Sequence, residues 1–156
     1  MRANEFREQM WMMVHAISCG VSGFVEPFID ESEITRLQLM VLSGISCGKI
    51  TTVKTMSEFL CLNQGNASTL CKKLEAMGYL ERQRSAEDQR VVLLTITENG
   101  KEVLAGIEKK IEEAMMPVLE EMEEETLQII RDGFKECMGL VEKLNQSRVE
   151  LEMKNR

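Results

Sequence analysis

Between positions 64 and 73 the chain carries amide, hydroxyl and ammonium side chains at helical spacing: Gln64, Asn66, Ser68, Thr69, Lys72 and Lys73. Amides and hydroxyls can pair with base edges in a major groove, and lysine suits phosphate or guanine. An ordinary solvated helix face uses the same residue types, so this row alone does not separate the two readings. Further on, Arg82, Arg84 and Arg90 flank a polar stretch, Ser85-Ala86-Glu87-Asp88-Gln89. A narrow minor groove has an enhanced negative potential that attracts inserted arginine. Asp88 stands two residues before Arg90, so the pair can bridge the stretch and fix its shape. As a surface ion pair it would contribute only ~0–1 kcal/mol.

Other chemistries find no support. No nucleophile and base stand at a known family spacing, and no glycine-rich phosphate loop is present. No cofactor is expected. The chain's one histidine is His15, on a mostly apolar helix where it is expected to pack rather than catalyse. The five cysteines, Cys19, Cys47, Cys61, Cys71 and Cys137, form no CxxC pair. They are expected to be reduced thiols, and no metal site is expected from them.

Net charge first argues against a nucleic-acid partner, because the chain carries −7. Its distribution reverses that. Residues 49–101 hold 8 basic and 6 acidic side chains, whereas 1–48 hold 3 and 6, and 102–156 hold 8 and 14. Only the middle third is positive. Affinity for DNA depends on local cations facing phosphates rather than on total charge.

The elements that must position these residues follow from periodicity. Residues 3–19 repeat apolar side chains at helical spacing, with a kink or break expected at Gly20, Gly23 or Pro27. Thr35 and Gln38 form a capping box ahead of a second helix, with Ile34 stapled to Leu39. Its inward stripe is read as Leu37, Met40, Val41, Gly44 and Ile45, and Cys47-Gly48 ends it. Ile50-Thr51-Thr52 suits a single strand rung, and Thr52 caps a short helix over 53–61, buried through Val53, Met56, Phe59 and Leu60. After the turn 62–65, Asn63 caps a helix over 64–77 with Ala67, Leu70, Cys71 and Leu74 inward. Gly78 sits where a left-handed residue is wanted. Alternation over 79–84 and 90–97 then predicts a hairpin with a polar tip. Thr97 or Asn99 caps a long helix to about 122, bent at Pro117 or short of one backbone bond there. A last helix follows from about Thr126.

Two short capped helices joined by a tight turn form a helix-turn-helix arrangement, and an arginine-bearing hairpin follows it. The 156 residues are enough for a core without staples. With 44% hydrophobic and 29% charged residues the chain reads as globular. Aromatics make up only 4% against 12 methionines, so the core is expected to be aliphatic and methionine-rich. No stretch approaches the ~18 consecutive apolar residues of a membrane helix, and the N-terminus lacks a signal-peptide pattern. A cytoplasmic protein with no membrane partner is expected.

The run from Met56 to Gly100, together with Ile34-Thr35-x-x-Gln38, resembles the MarR family of regulators. The most specific part is Asp88-x-Arg90 followed by Leu94-Thr95-Ile96-Thr97-Glu98-Asn99-Gly100. The resemblance covers residues 34–104. Leu62-Asn63-Gln64-Gly65 and Arg84-Ser85-Ala86-Glu87-Asp88 are similar to the organic-peroxide-sensing branch. It implies a mainly α (α+β) winged helix-turn-helix fold, with long N- and C-terminal helices forming a dimerisation arm. The segments expected are 1–33 (N-terminal dimerisation helix), 34–100 (DNA-binding domain) and 101–156 (C-terminal dimerisation helices). It also implies a homodimer on a pseudo-palindromic operator in double-stranded DNA. Gln64 to Lys73 would enter the major groove, and Arg84, Ser85 and Arg90 the minor groove, with Asp88 stabilising the wing. Repression is the commoner habit of such regulators.

Two departures stand out. The peroxide-sensing branch has a reactive cysteine where this chain has Trp11, and a tyrosine where it has His15. Thr69 stands where many relatives carry arginine. A small aromatic ligand would be lined by Trp11, Met12, His15 and Met40, which otherwise serve as interface core. Thiol sensing would use Cys19, Cys61 or Cys71. Either signal would release the protein from DNA. The rival reading is a helical protein–protein interaction module without DNA binding.

Overall fold

The computed structural model describes residues 3–154. In chain order they form α1 (Ala3–Asp30), α2 (Arg36–Ser46), α3 (Val53–Phe59), α4 (Gln64–Ala76), β1 (Leu80–Arg84), β2 (Val92–Ile96), α5 (Glu98–Glu120) and α6 (Glu124–Lys154). Met1 and Arg2 of the expected first segment, and Asn155 and Arg156 of the last, lie outside the described residues. The chain divides within α5, one unit ending at Ile111 and the next beginning at Glu112.

Helix α1 is longer than its spacing predicted. It runs unbroken through Gly20 and Gly23 and ends three residues after Pro27. A glycine inside a helix costs about 1 kcal/mol against alanine but does not stop it. Pro27 falls in the last turn, where one backbone bond is forfeited. The extension corrects a second expectation. Ala3–Asp30 contains an 18-residue window of mean hydropathy 1.4, so by length and composition this helix could cross a membrane. No uninterrupted apolar run exists, but uncharged Ser and Gly between the Met, Val and Phe residues keep the average high.

Helix α2 opens with the expected capping box. Thr35 Oγ1 accepts from Gln38 N at 3.3 Å, and Gln38 Oε1 accepts from Thr35 N at 2.7 Å. The buried stripe, however, is Gln38, Leu39, Val41, Leu42 and Gly44, while Leu37 and Met40 are exposed. The capping box turns Gln38 inward, and its Nε2 reaches Met77 Sδ at 3.4 Å. Gly44 leaves room for Ile50, whose Cδ1 lies 2.6 Å from where a Cβ would stand.

Helix α3 is capped by Thr52, which exchanges bonds with Thr55, and it buries Met56 completely. Phe59, expected inward, is exposed. Thr52 also pairs with Leu93 as an isolated bridge, the single rung read from its β-branched segment. Asn63 Oδ1 caps α4 by accepting from Asn66 N at 2.8 Å. Ala67, Cys71 and Leu74 put α4 onto the core at no exposure. At its end Gly78 takes φ +75, Tyr79 N donates to Leu74 O and Gly78 N to Glu75 O. This pair of bonds is the Schellman arrangement that a glycine at this place allows.

Strands β1 and β2 pair antiparallel from Leu80↔Ile96 to Arg84↔Val92. Leu80 and Leu94 point into the core. Thr97 then caps α5, its Oγ1 accepting from Gly100 N at 3.0 Å while donating to Gly78 O at 2.7 Å. Gly100 crosses so close to the wing base that a Cβ there would sit 2.1 Å from Tyr79 O. Leu104 and Ile107 continue the buried face. Lys110 Nζ joins Glu31 Oε2 at 2.6 Å, and that bond holds the Glu31 carboxyl below the usual carboxylate range.

In the second unit α5 continues through Pro117 to Glu120, and α6 follows. Arg131 bridges Glu124 at 2.6 Å. The apolar side chains of α6 are uncovered in the single chain: Phe134 is 56% and Met138 62% exposed.

Two measurements check the core. Gly100→Ala is expected to lose at least about 2 kcal/mol of stability in urea unfolding, because the obstacle is a backbone oxygen. Gly106→Ala, where the space is open, is expected to gain about 0.5–1 kcal/mol. Burial pushes the Cys71 thiol up to about 11. The unfolded thiol ionises near ~8.5, so this group withdraws stability as pH rises between those values. Iodoacetamide at pH 8 is expected to label Cys19, Cys47 and Cys61 in the native protein, and Cys71 only in denaturant.

Candidate nucleic-acid interface

The turn before α4 sets which of its faces is free. Asn63 fixes the helix start, and burial of Ala67, Cys71 and Leu74 fixes its rotation. Gln64, Asn66, Thr69, Lys72 and Lys73 are then exposed together, with Ser68 half-buried beside them. Thr69 Oγ1 donates to Gly65 O at 3.0 Å, so its lone pairs remain outward. Lys72 and Lys73 have no ion pair among the described residues. This leaves a short row of donors and acceptors on a rigid support.

The hairpin tip is braced by its own side chains. Ser85 Oγ accepts from Glu87 N and Asp88 N at 3.2 and 3.4 Å. Gln89 Nε2 donates to Ser85 O at 3.1 Å. The expected Asp88–Arg90 ion pair does not form. Asp88 Oδ1 instead accepts from the main-chain N of Arg90 at 2.9 Å, which stabilises the tip but leaves the Arg90 guanidinium outward. Arg84 is committed differently, its Nη1 donating to Gln89 O at 3.0 Å. The two arginines therefore have separate situations. One closes the base of the tip and the other is free to engage a partner.

Between α3, α4 and the hairpin lies a cleft of about 490 Å3, walled by Lys54, Gln64, Ser68, Arg82 and Arg90 among others. Lys54 was not singled out as a contact from the sequence, whereas Arg82 was read with Arg84 and Arg90 as flanking the polar tip. Arg82 lies on β1 and reaches Glu75 of α4 at 3.3 Å. Its alternation with Arg84 was visible, but the pairing of a strand residue with a helix seven positions earlier was not.

A second, apolar cavity of about 620 Å3 lies under α1 and α2. Met40 lines it, together with Val21, Val25, Leu39 and Phe59. Trp11, Met12 and His15 do not. They stand further toward the start of α1 and are exposed, Trp11 at 65%. The exposure of Phe59 is thus exposure to this cavity. Among the thiols, Cys19 Sγ lies 3.7 Å from His15 Nε2, and Cys61 is exposed at φ +52. Cys71 packs against Met56 Sδ at 3.6 Å in the core. Among the described residues no cluster of three His, Cys, Asp or Glu could hold a metal ion.

Residues 23–107 match the family model described as transcriptional regulator SarA/Rot. The chain is 32% identical over 96 residues to the organic hydroperoxide resistance transcriptional regulator of Bacillus subtilis, covering 62% of this chain and 65% of that one. It therefore spans just under two thirds of that relative's length. Its fold is similar to a MarR family protein from Bacillus stearothermophilus, with a TM-score of 0.76 at 17% identity, over 90% of this chain and 99% of that one. It is also similar to FabT of Streptococcus pneumoniae, solved in complex with DNA, with a TM-score of 0.74 at 25% identity, over 88% and 99%. The capped helix pair, the arginine-bearing wing and the long outer helices are thus those of a regulator rather than an enzyme, and the chain belongs to the SarA/Rot family of transcriptional regulators, with the winged-helix fold of the MarR proteins.

Proposed function

We propose that this chain is a sequence-specific repressor that binds a pseudo-palindromic operator in double-stranded DNA as a cytoplasmic homodimer. The observation that carries this is the uncovered polar face of α4 standing beside a braced wing with a free Arg90 guanidinium. Gln64, Asn66, Ser68, Thr69, Lys72 and Lys73 would face the major groove, and the wing, from Arg84 and Ser85 to Arg90, the minor groove. Similarity to a regulator solved with DNA supports the reading. Residues 34–100 would form the DNA-binding part, and 1–33 and 101–156 the dimerisation arm. The apolar faces of α1 and α6 are exposed in a single chain, with Met12 at 73% and Ile129 at 65%. Such patches are rarely left open on a monomer, and a second copy supplies a matching surface under two-fold symmetry.

A small aromatic or phenolic ligand is the proposed releasing signal, favoured by the apolar cavity that Met40 lines. Such a ligand acts only if it binds one arm spacing better than another. Oxidation at exposed Cys19, beside His15, is the alternative signal. Cys71 is disfavoured by its burial.

Fluorescence anisotropy on the duplex upstream of the chain's own gene, against a scrambled duplex, tests the main reading. Specific binding that weakens steeply with salt is expected. Arg90→Ala is expected to cost about 1–3 kcal/mol, the range for a lost groove contact. Equal, weak binding to both duplexes, unchanged by Arg90→Glu, would favour a protein-binding module instead. Sedimentation is expected to give a dimer at micromolar concentration. A phenolic acid panel is expected to raise the melting temperature and release DNA, and Ser43→Trp, which fills the cavity, to abolish both effects.

A further inference from the structure

On α1, His15 and Cys19 stand one turn apart, with Cys19 Sγ 3.7 Å from His15 Nε2 and 3.8 Å from His15 Nδ1. Residues at this spacing share one helix face. The helix runs unbroken through both positions, so the backbone holds their Cα atoms ~6 Å apart. Both side chains are exposed. Each is the other's polar partner among the described residues. Closely spaced cysteines, the usual sequence signal of a metal site, are absent, so the pair shows itself only through this helical juxtaposition.

Thiolate sulfur with imidazole nitrogen is a donor set for zinc, whereas magnesium and calcium take oxygen. The spacing is that of histidine pairs which bind zinc from one face of a helix. The distance also fits. With bonds of ~2.0–2.1 Å to nitrogen and ~2.3 Å to sulfur, donors 3.7 Å apart subtend about 115–120° at a shared ion, close to tetrahedral. A linear ion with the same bonds would need them ~4.3–4.4 Å apart. The two ring nitrogens are almost equidistant from the sulfur, so neither lone pair yet points along the contact. The imidazole must turn about its Cβ–Cγ bond to aim one. That torsion is soft in histidine, and the exposed ring is free to make the turn.

The charge along this stretch favours a cation. From Glu8 to Thr35 the sequence has no lysine or arginine. Glu8 precedes His15, and Glu26 follows Cys19, by seven residues, almost two full turns, so both fall near the same edge of the helix. Arg36 comes in from α2 but bonds Ser22, one turn beyond Cys19. We infer that His15 and Cys19 chelate one zinc ion per chain, with its other positions open to water or a small ligand. On binding, the Cys19 thiol releases its proton to solvent and a zinc–sulfur bond forms. The neutral imidazole donates a nitrogen lone pair, and no electron changes hands. Two donors from the chain make an exchangeable site, unlike the closed four-ligand sites that hold a fold together. The inference does not depend on the DNA-binding reading. It also differs from oxidation of Cys19, in which the sulfur loses electrons.

Zinc titration by calorimetry, with cadmium as an optical probe of thiolate coordination, tests this on the full chain. A phosphine reductant keeps Cys19 from oxidising. The titrations are run in the wild type and in a Cys47→Ser, Cys61→Ser background, which removes the other exposed thiols. The expected result in both is one zinc per chain at the His15–Cys19 pair. In the background variant a cadmium–thiolate charge-transfer band is expected, and Cys19→Ser is expected to abolish it. Cys19→Ser and His15→Gln are each expected to weaken zinc by at least about tenfold, the smaller loss seen when even an outer partner of a metal ligand is removed. Both positions are exposed, so unchanged helical circular dichroism is expected in each variant. Equal zinc affinity with and without His15 reduces the site to a thiolate adduct and overturns the chelate. A cadmium band that survives Cys19→Ser in the background variant overturns it as well. One zinc per two chains places the ion between copies and overturns a site contained in one helix. No zinc binding by the reduced wild type overturns the inference outright and leaves the DNA-binding reading untouched.

Discussion

Thr97 and Gly100 hold the place on which the rest of the winged helix depends. At that crossing the Thr97 hydroxyl caps α5 and donates to Gly78 O in the turn that ends α4. Thr97 N bonds Tyr79 O, and Gly100 admits that carbonyl where no side chain fits. Three elements therefore meet through a few atoms: the end of α4, the wing's first strand and the start of α5. The orientation of α4 relative to the wing follows from this junction. Its outer face and the wing tip themselves contribute little to it. Position is determined in the core and recognition chemistry is placed outside it.

The same division explains which polar groups are satisfied internally. Gln38, the buried polar residue in the core, spends its amide on the α2 cap and on Met77. Ser85, Asp88 and Gln89 spend theirs on the wing backbone. The row from Gln64 to Lys73 is mostly left open.

Most of the fold was legible because capping and turn chemistry are local. Thr35 with Gln38, Thr52, Asn63, Gly78 and Thr97 each mark a boundary through hydrogen bonds within a few residues. The resemblance carried by Asp88-x-Arg90 and the segment after it supplied the architecture. The misreadings concern interactions between distant positions. The α2 stripe read from apolar spacing omits Gln38, which is buried because its amide meets Met77, far along the chain. The kink or break expected at Gly20, Gly23 or Pro27 does not end α1, because glycine weakens a helix without stopping it. Trp11, Met12 and His15 are expected to line a ligand pocket with Met40, whereas the cavity is lined by Val21 and Val25 further along the same helix. Lys54 and Arg82 come together only once strand and helices are folded.

The internal bracing of the wing tip bears on the entropy of association. A flexible loop that docks into a groove loses backbone freedom at every residue it orders, roughly 1–2 kcal/mol each. Here the tip backbone is already held by Ser85, Asp88, Gln89 and Arg84 before any contact is made. Seating it would immobilise little beyond the Arg90 side chain, at about 0.5–1.5 kcal/mol. Most of the ordering of this loop is thus completed during folding, and the free energy of each contact it makes remains largely available as affinity.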